Sequence, residues 1–130
     1  MKPKHDHEIL SDFLSPSVRE RIIYEFSSPQ KAIKALCRFS HSADAIINAN
    51  LIYYKGTSFS DTIKSEIKNS VSECVVFSYE YQQGQLMTTD NALDYLIYDC
   101  FFAIAASEKW LVIKPEHEGG KGLFYILKKH

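Results

Sequence analysis

Asp90-Asn91-Ala92-Leu93-Asp94-Tyr95-Leu96-Ile97-Tyr98-Asp99-Cys100-Phe101-Phe102-Ala103-Ile104-Ala105-Ala106-Ser107 is the most apolar run of the chain. Its conformation decides the architecture. Leu93, Leu96, Ile97, Cys100, Phe101, Ile104 and Ala105 recur at three- and four-residue steps, the spacing of one helix face. Tyr95, Tyr98 and Phe102 make a second stripe. Thr88-Thr89-Asp90-Asn91 ahead of them is a run of capping residues. The pattern predicts one long helix over 90–107, with Leu96, Ile97, Cys100, Phe101 and Ile104 in the core. On that helix Asp94 and Asp99 lie about 140° apart. They cannot share a narrow polar strip, so one of them is expected to be buried, paired or at an interface.

Upstream, Cys74-Val75-Val76-Phe77-Ser78-Tyr79-Glu80-Tyr81 is rich in β-branched and aromatic residues and predicts a strand. Val75, Phe77, Tyr79 and Tyr81 would share one face. Gln82-Gln83-Gly84-Gln85 reads as a turn, and Leu86-Met87 as a short return strand. Downstream, Trp110 to Lys114 and Leu123 to Lys129 read as two strands. Pro115 and the Gly119-Gly120-x-Gly122 cluster would form their turn.

The first seventy residues read as helices. Ile9, Leu10, Phe13 and Leu14 lie one turn apart. Ser15-Pro16 and Ser28-Pro29 are start signals, with a cap before Pro at the first helical position. After Pro29 the apolar positions Ile33, Leu36, Cys37, Ser40, Ala43, Ile47, Leu51 and Tyr54 continue the helical period, with a break expected near Ser40-His41-Ser42. Gly56 is a stop signal. Phe59-Ser60-Asp61 opens a further helix with Ile63, Ile67 and Val71 inward. Helices first, then strand, helix and hairpin, predict an α+β fold in a single domain over 1–130. Its sheet would be small and mainly antiparallel, of three or four strands, packed on one long apolar helix.

Chemical motifs are sparse. His5-x-His7 lacks the further ligands of a zinc site. The glycine cluster joins two strands, whereas a phosphate loop leads into a helix. No G-x-S-x-G elbow occurs, and Cys37, Cys74 and Cys100 sit in apolar patterns that suit reduced core thiols. No cofactor, metal or catalytic residue is expected. No apolar run approaches the roughly 18–20 residues of a membrane span. The N-terminus lacks the apolar segment of a signal peptide. The expected setting is the cytoplasm, with no membrane partner.

Charge carries more information. Residues 29–70 hold six basic and three acidic groups, whereas 71–110 hold one basic and six acidic. The acidic centre also contains Tyr79, Tyr81, Tyr95 and Tyr98. Acids steer an encounter and tyrosines give rigid contact area. Glu80, Tyr81, Asp90, Asp94, Tyr95 and Tyr98 are therefore the candidate partner-binding residues. The expected function is non-catalytic binding of a basic protein. An inhibitor that neutralises a basic enzyme fits this description. Immunity proteins and antitoxins of bacterial toxin systems, directed at a nuclease, are of that kind. One alternative is nucleic-acid or regulatory binding through Lys31, Lys34, Arg38 and His41, although a pI near 6.5 weighs against a nucleic-acid partner. A second is a small enzyme or ligand-binding domain using Asp99, Tyr95 or His117.

Overall fold

The computed structural model describes residues 6–116 and 123–130. It is an α+β fold built on a six-stranded, wholly antiparallel sheet. A 3₁₀ segment (Asp6–Phe13) leads to helices α1 (Arg19–Phe26) and α2 (Ala32–Ile46). Strand β1 (Ile52–Gly56), helix α3 (Asp61–Ser70) and the pair β2 (Glu73–Ser78) and β3 (Gln85–Thr88) follow. Helix α4 (Thr89–Asp94) runs into a π-helical turn (Tyr95–Asp99). Strands β4 (Ala103–Ala106), β5 (Trp110–Lys114) and β6 (Phe124–Lys128) complete the fold. The strand order is β1-β6-β5-β4-β2-β3.

Helices cover both faces of the sheet. Val75, Phe77, Ile104, Ala106, Leu111, Ile113, Tyr125 and Leu127 point to one face, beneath the 3₁₀ segment, α1 and α2. Cys74, Val76, Ala103, Ala105, Trp110, Val112 and Ile126 point to the other, beneath α3, α4 and the π turn. Alternate residues thus enter opposite cores, and the inner strands are apolar on both sides.

Five sequence expectations change. The sheet has six strands rather than three or four. The predicted long helix stops after Asp99: Cys100 is extended (φ −143°, ψ 158°), and 103–106 form a central strand. A short apolar run buried on both sides carries no period that separates strand from helix. Phe101, expected in the core, is 80% exposed, while Phe102 beside it is buried. Phe101→Ala should therefore change folding stability by less than about 0.5 kcal/mol. A loss above about 2 kcal/mol in urea unfolding would contradict this placement. Asp94 and Asp99 are both exposed, so neither is a buried acid. Tyr54, read as helical, lies in β1.

Other expectations hold. α2 is kinked at Ser42 (φ −141°, ψ 36°), inside the expected break. Leu36, Ser40 and Ala43 of the expected stripe are buried, but Ile33 turns outward and Ala32, Ala35 and Phe39 complete the core face in its place. Ser60 caps α3 by accepting the Ile63 N–H at 3.2 Å, and Thr88 caps α4 by accepting that of Asn91 at 3.2 Å.

Cys37, Cys74 and Cys100 are free. Cys74 is buried and the other two are half-buried. Burial pushes the Cys74 thiol up, and that of Cys100 to about 11. Thiol titration of the denatured, unreduced chain should find three groups. In the folded chain at neutral pH, Cys74 should react slowest. Immediate reaction of Cys74 would contradict its burial.

Candidate functional site

The sheet end where β2 stops and β4 begins carries most of the candidate residues, because Ser78 pairs with Ala103. The Ser78 hydroxyl organises it. Its Oγ accepts the backbone N–H groups of Glu80 (3.2 Å) and Tyr81 (3.0 Å) and lies 2.9 Å from the Tyr95 hydroxyl. The Tyr95 oxygen lies 3.1 Å from Glu80 Oε1. Each hydroxyl has one proton, so Ser78 donates to Tyr95 and Tyr95 donates to the Glu80 carboxylate. Burial, with the Glu80 contact adding, raises the Tyr95 phenol above its ordinary value. The rings of Tyr81 and Tyr95 lie 5.6 Å apart. Glu80, Tyr81 and Tyr95 are thus one bonded group, with the Glu80 side chain facing solvent.

Asp90 lies elsewhere. β3 returns the chain to the opposite end of the sheet before α4 begins. The end of α4, not its start, meets the end of β2. Asp90 and Tyr98 are about 12 Å apart along the helical axis. Asp90 forms an ion pair with Lys68 of α3. The hydrogen bond and charge of Asp90 raise the Lys68 ammonium, with Asp94 adding. Lys64 lies 6.0 Å over the Tyr98 ring. Two cations from the basic segment therefore stand among the acids. Charge blocks in sequence are not separate blocks in space.

Two residues missed by the sequence reading, Phe101 and Lys114, shape this surface beside the expected Tyr98. Phe101 is 80% exposed and Tyr98 71%. Lys114 Nζ fixes the turn that presents them, donating to the carbonyls of Cys100 (2.8 Å) and Ile97 (3.4 Å). These carbonyls end a helical segment and would otherwise lack donors. Phe102 anchors the turn from below, its ring 5.2 Å from that of Tyr79. The signal for Lys114 lay outside any motif, since a lysine ending a strand looks like a solvated charge.

The basic face of α2 is largely engaged within the protein. Arg38 donates to both Glu25 oxygens at 2.8 Å, Lys31 Nζ donates to the Tyr24 hydroxyl at 3.0 Å, and His41 lies 3.2 Å from Glu116. His5, His117 and the glycine cluster lie outside the described residues. Among the described residues no group of three or more His, Cys, Asp or Glu side chains could hold a metal ion, and no helix is long and apolar enough to cross a membrane.

Comparison with protein-family models, curated proteins and solved structures finds no match.

Proposed function

We propose that this chain is a non-catalytic protein-binding domain that docks a basic partner through the sheet end carrying Glu80, Tyr81, Tyr95, Tyr98 and Phe101, with Asp94 at its border. The exposure of Phe101 carries the reading. A phenylalanine held outward on a clamped turn leaves about 80% of its surface in water. The same ring buried in a partner pocket would contribute strongly. The turn is already fixed by Lys114, so little ordering entropy is lost on binding. Carboxylates around an aromatic anchor suit a cationic partner. An immunity-type inhibitor of a toxin nuclease fits this chemistry, because a nuclease cleft is positively charged for phosphate and an acidic plug can occupy it.

Co-purification from the native host tests the proposal, with a stoichiometric basic protein as the expected result. Phe101→Ala should then speed dissociation about tenfold or more, as for an interface anchor. Glu80→Lys combined with Asp94→Lys should slow association and flatten its salt dependence. A cognate partner that binds all three substitutions as tightly as the wild type overturns the assignment. Nucleic acid recovered in place of protein favours the basic face instead.

A further inference from the structure

The two edges of the sheet are unlike. β1 has a register irregularity between Ile52 and Tyr54 and carries Lys55, and both features discourage a further strand. β3, Gln85-Leu86-Met87-Thr88, pairs with β2 without irregularity and holds no charge or proline. Among the described residues no strand pairs with its outer side. The Thr89 N–H donates to the Ser72 carbonyl at 3.0 Å, which sets the alternation of the ladder. Met87 and Gln85 therefore bond to β2, and the N–H groups of Leu86 and Thr88 and the Leu86 C=O face outward, while the Thr88 C=O at the N-cap of α4 accepts the first bond of that helix. The Leu86 carbonyl takes a side-chain donor, Gln85 Nε2 at 3.3 Å. Beside this edge runs a groove of about 440 Å³. Ile9, Val75, Leu86 and Ala106 supply apolar lining, and Glu73 and Glu108 are its two carboxylates. Leu86 is 55% exposed there.

We propose that β3 receives an extended, basic segment of the partner protein as a seventh strand. The outward N–H groups of Leu86 and Thr88, with the Leu86 C=O in place of its Gln85 contact, supply main-chain bonds, as in other strand additions. Alternate side chains of the added strand enter the groove. There Leu86 takes an aliphatic group, and Glu73, opposite Thr88, selects lysine or arginine. The inference rests on the reading of the chain as a protein-docking domain and adds the form of the partner.

The test uses the full chain, isotope-labelled, and an acetylated peptide of about eight residues, the length of an ordinary strand, with valine and lysine in turn along one face and threonine along the other. A second peptide is N-methylated at every other residue and cannot complete a ladder. The first peptide should slow amide exchange at Leu86 and Thr88. The methylated one should bind about tenfold more weakly, the equivalent of one or two lost hydrogen bonds. Glu73→Gln should weaken the first peptide and leave the unfolding midpoint unchanged. Phe101→Ala should leave the peptide titration unchanged, so loss of the aromatic anchor and loss of strand addition are read separately. Equal binding of both peptides, with changes confined to Glu80 and Tyr98, overturns strand addition while the acidic docking surface stands. Absence of peptide binding overturns the inference. So does self-association without peptide that protects the same two amides, which would assign the edge to a second copy of the chain.

Discussion

Phe77→Ala is expected to cost about 3–5 kcal/mol of folding stability. Phe77 is fully buried in β2, opposite Ile104 of β4. Its ring lies 5.2 Å from Phe26 of α1, and Phe26 lies 6.1 Å from Phe39 of α2. Three rings therefore join two helices to the sheet. Truncation removes the transfer energy of one ring and leaves a void between layers. Neither layer can close that void, because the sheet is held from its other face by α3 and α4. Urea unfolding should show a lower midpoint with an unchanged slope. A loss under about 1 kcal/mol would mean that the site collapses freely.

Arg38→Met should cost about 2 kcal/mol at neutral pH, the range for a hydrogen bond to a charged group left without its donor. Glu25 is 6% exposed and takes both of its side-chain bonds from Arg38 at 2.8 Å. Arg38 itself is about a third exposed, so water reaches the vacated side and holds the loss below that of a fully buried pair. The Arg38 bonds hold the Glu25 carboxyl below its ordinary value of 4.5, against the opposing effect of burial. A lowered folded value means that the unfolded chain binds the proton more readily. The stabilisation is therefore complete above pH 4.5 and is lost as pH falls through the lowered value. The gap in stability between wild type and Arg38→Met should be widest near pH 7 and narrow in acid. A gap constant down to pH 3 would show that the loss comes from packing of the arginine stem.

Elements with their own punctuation were legible in the sequence. Ser60 marks the start of α3, and Ser-Pro pairs precede α1 and α2. Trp110–Lys114 and Phe124–Lys128 carry the β-rich composition of strands. The run from 90 to 107 was not legible, because alanine, isoleucine and leucine in an unbroken apolar stretch suit a helix as well as a doubly buried strand. The error mattered for the site. Helical spacing groups Phe101 with Leu93, Ile97 and Ile104. Once the chain leaves the helix at Cys100, parity replaces that spacing, so Phe102 goes in and Phe101 out. Ile52-Tyr53-Tyr54 was hidden similarly, since Leu51 and Tyr54 prolong the stripe of α2 although Asn48 and Asn50 already mark a turn. Of the candidate residues, Glu80, Tyr81 and Tyr95 were brought together because they flank one strand end. Asp90 was set apart by the return of β3, which sequence distance does not reveal.

β1 has one strand neighbour, β6, and the pairing of Ile52 with Leu127 joins positions far apart along the chain. During synthesis β1 emerges long before β6, so this edge of the sheet has nothing to pair with until β6 leaves the ribosome. Closing so distant a contact is entropically slow. The nascent chain must carry an unpaired, tyrosine-rich strand until β6 has been made, a period in which such strands are prone to aggregate. The lysine of β1 then protects the growing chain as well as the finished edge.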